Sequence, residues 1–256
     1  MDAPLAVLGL IGLLGLLVGS FLNVCIYRLP RGESVVWPSS KCGACKRPLA
    51  WYENIPLLSW LLLRGRCRTC GERISVMYPA VEATTGALFA VAPLVFGVTP
   101  LLVVRLAFGC AMVVLFAIDL RHRILPNVIT LPGVVVGLAC SVFLPPGVIA
   151  AVIGAAAGGG ALYAIGETYY RLRGVEGLGM GDVKMLAMIG ACLGWRQTLV
   201  TLMLASCLGS LVGIGVILSR RGGMQAALPF GTFLAVGALI ASVAGDRMLA
   251  WYLSLY

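Results

Sequence analysis

The chain has 256 residues, of which 60% are hydrophobic and only 11% charged, and its mean hydropathy is +1.00. Soluble domains carry about 25% charged residues, so an ordinary water-soluble enzyme or binding module is excluded and a polytopic membrane protein is expected. The net charge of +9 is concentrated, with nine of the nineteen Lys and Arg lying between Arg28 and Arg73. A basic stretch suits nucleic acid, but in a membrane chain the bias of Lys and Arg towards cytoplasmic loops accounts for it. No nucleic-acid partner is expected.

A helix needs about 20 apolar residues to cross a bilayer. Apolar runs at roughly 5–27, 79–98, 100–119, 127–144, 147–166, 183–195, 198–218 and 229–252 therefore predict about eight transmembrane helices in an all-α polytopic fold. Pro145 and Pro146 divide one long run into two spans. The run 183–195 is short for a full crossing, so it is expected to be tilted, half-crossing or covered by protein. The first run has no Lys or Arg before it and Arg28 after it. That pattern predicts a retained helix with a periplasmic N-terminus, not a cleaved signal peptide.

Alternating the spans from that start makes 28–78, 120–126, 167–182 and 219–226 cytoplasmic. Together with Lys184 these segments hold sixteen of the nineteen Lys and Arg, in keeping with the charge rule. The expected organisation is a first transmembrane helix (1–27), a cytoplasmic loop domain (28–78) and a transmembrane bundle (79–256).

Within 28–78, KCGACKRP and RCRTCGER form two C-x-x-C knuckles, with twenty-one residues between Cys45 and Cys67. Paired cysteines at this spacing can aim both sulfurs at one ion, and four thiolates complete the closed tetrahedron of structural zinc. Cys42, Cys45, Cys67 and Cys70 are thus expected as zinc ligands, with two disulfides or four free thiols as the alternatives. A reducing cytoplasm disfavours disulfides. With no open coordination position the metal would be structural and not catalytic. Gly43 and Gly71 are expected to give the knuckles their turns. Cys25, Cys110, Cys140, Cys192 and Cys207 lie in apolar runs and read as small hydrophobes.

Two carboxylates border apolar segments: Asp119 closes LVVRLAFGCAMVVLFAID, and Asp182 follows the glycines Gly177, Gly179 and Gly181. Carboxylates at the edge of hydrocarbon are costly unless they line a wet cavity or do chemistry. Glycines ahead of Asp182 would allow the close backbone approach that an extended peptide substrate requires. Taken singly, Asp182 could be a helix-terminal charge and Asp119 a surface charge paired with a neighbouring arginine. Taken together they suggest an aspartyl hydrolase acting at a membrane face. His122, the one histidine, is assigned to the solvated loop.

The combination resembles the type IV prepilin peptidase family, also called leader peptidase/N-methyltransferase, over nearly the whole chain. Gly19-Ser20-Phe21-Leu22-Asn23-Val24 with Tyr27-Arg28-Leu29-Pro30 resembles its first-helix signature. Glu53-Asn54-Ile55-Pro56-Leu57-Leu58-Ser59-Trp60 and Tyr78-Pro79-Ala80-Val81-Glu82 resemble the stretches around its knuckles. Asp119 through Ile124-Leu125-Pro126-Asn127 resembles the first aspartate motif, although the family often has Asp where Asn127 stands. Gly179-Met180-Gly181-Asp182-Val183-Lys184 resembles the second, the GxGD motif, and Leu228-Pro229-Phe230-Gly231 the final-helix motif.

The resemblance implies a bifunctional enzyme of the bacterial inner membrane with its active site facing the cytoplasm. It would be an aspartic endopeptidase cutting leaders from type IV prepilins and type II secretion pseudopilins. It would then methylate the new amino terminus with S-adenosylmethionine. Asp119 and Asp182 are the expected catalytic pair, sharing a proton as close carboxylates do. No G-x-G-x-x-G follows a strand pattern, so a Rossmann-type site for S-adenosylmethionine is not supported and no residue is assigned to it. Lys184 could tune Asp182 or sit among lipid headgroups, and Glu82 could shape the cavity or be a surface charge. Glu33, Glu53, Glu72 and Glu82 are candidates to receive a basic leader. A transporter with a metal-stabilised loop, which predicts inverted repeats and mid-membrane binding groups, and a non-catalytic assembly protein are the competing classes.

Overall fold

The computed structural model describes residues 5–175, 177–219 and 228–255. Every regular element among them is helical: α1 (Leu5–Arg28), α2 (Leu58–Leu62), α3 (Met77–Phe96), α4 (Pro100–His122), α5 (Asn127–Cys140), α6 (Val148–Arg173), α7 (Met180–Leu193), α8 (Trp195–Leu218) and α9 (Phe230–Leu253). Short 3-10 turns add Leu29–Arg31 and Trp51–Asn54. The eight predicted spans correspond one for one to the helices other than α2. Six of them, α1, α3, α4, α6, α8 and α9, are long and apolar enough to cross a membrane by length and composition, and the chain is a multi-pass membrane protein. The expected turn at 219–226 lies, from residue 220 on, outside the described residues.

The chain divides into two compact units, Met1–Val114 and Leu115–Tyr256. In the first unit α1 packs along α3 through small residues. A Cβ on Gly15 would come within 2.5 Å of the Phe89 side chain, and one on Gly19 within 2.8 Å of the Glu82 backbone. Apolar burial drives little association inside lipid, and close backbone approach supplies dispersion contacts instead. At the end of this helix pair, Asn23 Nδ2 donates to the Tyr78 carbonyl at 3.1 Å. Buried Arg28 donates to the carbonyls of Ser34 and Pro38 at 2.9 and 2.6 Å. The first-helix motif is thus a set of ties from α1 to α3 and to the start of the loop.

The second unit is built around α7, whose Met185, Leu186, Met188, Ile189, Gly190, Ala191 and Leu193 are all buried. Helices α5, α6, α8 and α9 pack against it. Its 14 residues would extend only about 21 Å at 1.5 Å per residue, short of a full crossing. Protein covers it, the third of the expectations for this run. Helices α6 and α7 approach backbone to backbone, where a Cβ on Gly190 would lie 2.2 Å from the Gly154 carbonyl oxygen. Only glycine fits on either side.

Candidate active site

Asp119 lies one turn from the end of α4 and is 4% exposed. The helix is closed by Arg123, whose N–H donates to the Asp119 carbonyl at 2.9 Å from a left-handed backbone with φ of 53°. His122 is the last residue of α4 and is exposed, as its solvated assignment requires. The Asp119 carboxylate points towards the first turn of α9. Its Oδ2 accepts the Thr232 backbone N–H at 2.6 Å and the Thr232 hydroxyl at 2.9 Å. The N–H groups of a helix's first turn have no partner within the helix, and one of them is spent here on a buried carboxylate. The preceding Gly231 makes room, since a Cβ there would approach Asp119 Oδ2 to 3.0 Å.

Asp182 is the third residue of α7 and half-buried. The two carboxylates are 63 positions apart in the sequence (182 − 119 = 63), and the structure brings their elements together at one side chain. Leu125 is wedged between their elements. A Cβ on Gly181 would come within 3.0 Å of Leu125 Cβ, and one on Gly231 within 2.9 Å of Leu125 Cδ1.

Two of the glycines before Asp182 lie against the chain's own side chains. Room at Gly181 is taken by Leu125. Room at Gly177 is taken by the Tyr169 ring, which a Cβ at that position would meet at 2.4 Å. They admit the chain's own side chains. Lys184 Nζ donates to Asn127 Oδ1 at 3.0 Å, a partner that neither sequence reading of Lys184 contained. Thr232 was also missed, although the final-helix motif ends at the residue before it.

The four cysteines converge within the first unit, with their sulfurs all within 4.8 Å of one another and Cys42 Sγ 3.8 Å from Cys70 Sγ. A tetrahedral zinc with Zn–S bonds of about 2.3 Å needs S···S separations near 3.8 Å, so the donor set fits a metal ion. The two knuckles repeat each other at an offset of 25 residues. Cys42 N–H donates to Arg47 O and Cys67 N–H to Glu72 O, while Lys46 N–H donates to Cys42 O and Gly71 N–H to Cys67 O. Antiparallel bridges Lys41–Pro48 and Arg66–Arg73 close the two turns.

The repeat corrects one expectation. Gly71 does adopt positive φ, 70°, but its counterpart is Lys46 at 61°, and Gly43 is not among the residues with positive φ. The left-handed position directly follows the second cysteine of each knuckle, so spacing from Cys45 is the signal that would have found Lys46. Backbone N–H groups of Cys70 and Thr69 directed at Cys67 hold its thiol down at about 6.

The acidic residues of the loop are unequally available. Glu53 is bound by Arg47 at 2.7 Å, its side chain 3% exposed, and accepts the Ala50 N–H at 2.8 Å. Glu82, expected as a cavity or surface charge, is buried. It accepts the Leu57 N–H at 2.8 Å, and its backbone lies against Gly19 of α1. It therefore ties α1, the loop and α3 together. Glu33 and Glu72 are exposed.

Residues 13–96 match the bacterial peptidase A24 N-terminal domain, and residues 106–214 match the type IV leader peptidase family. Among curated proteins, the chain is 38% identical to a prepilin leader peptidase/N-methyltransferase of Pseudomonas putida, over 93% of this chain and 90% of that protein. It is 38% identical to one of Aeromonas salmonicida (strain A449), over 98% and 95%. A third, from Myxococcus xanthus (strain DK1622), is 47% identical over 80% of this chain but only 62% of its own length. No solved structure matches the chain. With both halves of the chain matched and relatives aligned along nearly their whole lengths, the chain belongs to the type IV leader peptidase family.

Proposed function

We propose that this protein is a prepilin leader peptidase/N-methyltransferase, as its relatives are named. In this reading it cleaves the leaders of type IV prepilins and type II secretion pseudopilins and then methylates the new amino terminus. The observation that carries it is the convergence of the Asp119 end of α4 and the Asp182 end of α7 on Leu125, among the motifs that resemble the family's.

Two close carboxylates hold one proton between them. The ionised member takes a proton from water while the water oxygen bonds to the scissile carbonyl carbon. The other member gives its proton to the carbonyl oxygen. Collapse of the tetrahedral adduct then breaks the C–N bond, the amine nitrogen takes the proton gained from water, and the second carboxyl recovers its own. The cycle needs no metal and no covalent intermediate.

Cys42, Cys45, Cys67 and Cys70 hold zinc in this reading, which cross-links a loop with little core of its own. S-adenosylmethionine would supply the methyl group, and no residue is assigned to it. The protein lies in the bacterial inner membrane with its N-terminus in the periplasm and its active site at the cytoplasmic face. Residues 28–78 form the loop domain between the first helix and the bundle of 79–256. Prepilins, pseudopilins and the lipid bilayer are its partners.

The test uses purified protein in detergent and a prepilin peptide, followed by mass spectrometry. Leader loss with wild type, and none with Asp119→Asn or Asp182→Asn, supports the pair. A further gain of one methyl group with S-adenosylmethionine supports the second activity. Substantial cleavage by either aspartate variant would sink the catalytic assignment.

A further inference from the structure

Among the described residues, Asp119 is held at one of its two oxygens. Both donors from α9, the Thr232 N–H and the Thr232 hydroxyl, are directed at Oδ2, at 2.6 and 2.9 Å. Thr232 is 6% exposed and Asp119 4%, so the pairing is shielded from competing water. Gly231 completes the cradle. Its Cα faces the same oxygen so closely that any side chain there would press on the carboxylate, within 3.0 Å of Oδ2 and 3.2 Å of Cγ. An oxygen that already accepts two donors is poorly placed to carry a proton itself, since a carboxyl hydrogen on it would compete with both.

We propose that Thr232 is a positioning residue for peptide cleavage: it fixes the Asp119 carboxylate through Oδ2, so that Oδ1 is the oxygen that exchanges a proton with the attacking water. This rests on Asp119 being one of the catalytic pair. Thr232 touches neither water nor substrate in this scheme. It acts by holding the carboxylate's rotation about Cβ–Cγ, which would otherwise let either oxygen, or neither, face the reacting atoms. Misorientation by a fraction of an ångström is enough to slow a proton transfer in a preorganised site.

The test compares Thr232→Val, which keeps the shape and the backbone N–H but removes the hydroxyl, with Thr232→Ser, which restores a hydroxyl. Both are assayed by leader cleavage in detergent across a range of prepilin peptide concentrations. The valine variant is expected to lose about tenfold in kcat, the scale of one hydrogen bond to a charged group. KM should be unchanged, and the serine variant should recover most of the loss. A residue that only stabilised α9 would lower the thermal midpoint without this split and without rescue.

Wild-type kcat in the valine variant, or a serine variant as impaired as the valine one, overturns the proposal. Should the valine variant not accumulate, Thr232→Ala against Thr232→Ser carries the same comparison. Activity remaining in Asp119→Asn would instead remove the catalytic reading on which the proposal rests, so the two failures are distinguishable.

Discussion

Lys184 Nζ and Asn127 Oδ1 meet at 3.0 Å, joining the second residue after Asp182 to the first residue of α5. The family often has Asp where Asn127 stands, and an aspartate there would turn this hydrogen bond into an ion pair. The bond is exposed, so the gain should be small, about 0.5 kcal/mol at low salt. Asn127→Asp is expected to leave cleavage unchanged and to raise the thermal midpoint slightly at low ionic strength, with the gain fading as salt is added. Lys184→Ala should reduce kcat/KM by less than tenfold, in contrast to the loss expected of Asp182→Asn. A lysine variant as inactive as the aspartate variant would place Lys184 in the chemistry.

Packing around α7 makes a sharper prediction. A Cβ on Gly190 would overlap the Gly154 backbone at 2.2 Å, whereas Gly160, also on α6, has nothing within 4 Å. Gly190→Ala is therefore expected to destabilise the second unit by about 3 kcal/mol, at the upper end of overpacking costs. Gly160→Ala should be neutral or stabilising by up to about 1 kcal/mol, since alanine is the better helix former. Thermal unfolding of the two variants in the same detergent checks the contrast.

Much of this architecture was legible because hydrocarbon imposes a length on apolar segments. The run 5–27 became Leu5–Arg28, and the run 229–252 became Phe230–Leu253. The criterion reads hydrocarbon, however, and not helix. Helix α6 was expected to stop at 166 but continues to Arg173 through a polar turn carrying the Glu167–Arg171 pair at 2.7 Å. At the site, the two aspartates stood out as costly residues at apolar borders. Thr232, the partner of Asp119, did not, because a threonine opening a helix is unremarkable, and 113 positions separate the two. Positive φ at Leu57 and Arg123 was likewise invisible, since these side chains carry no glycine-like signal and the surrounding structure dictates the backbone.

The loop should respond to acid through Glu53. The Arg47 guanidinium and the Ala50 N–H hold its carboxyl below the ordinary range. A carboxyl depressed by folding stabilises the folded loop fully above its unfolded value of about 4.3 and ceases to do so as pH falls through the folded value. Protease resistance of the 28–78 loop, measured from neutral pH down to about 3, should therefore fall more steeply in wild type than in Glu53→Gln, which has no carboxyl to titrate. Equal slopes would show that the Arg47 pair contributes nothing to the loop's acid response.

Metal removal tests the cysteine cluster independently of the aspartates. Four thiols within 4.8 Å suit one ion, and the expected result is one zinc per chain by elemental analysis of the purified protein. Cys67→Ser should abolish stoichiometric zinc, because losing one thiolate opens the closed tetrahedron and removes the strongest class of donor from it. Digestion should then cut preferentially between Cys45 and Cys67, where little apolar burial holds the chain without the cross-link, while α6 to α9 stay resistant. If the variant retains full zinc, Cys67 is not among the ligands; if the wild type contains none, the cluster is held by its turn hydrogen bonds alone. The paired bonds of the two knuckles, Cys42 N–H to Arg47 O and Cys67 N–H to Glu72 O, would then be its whole support.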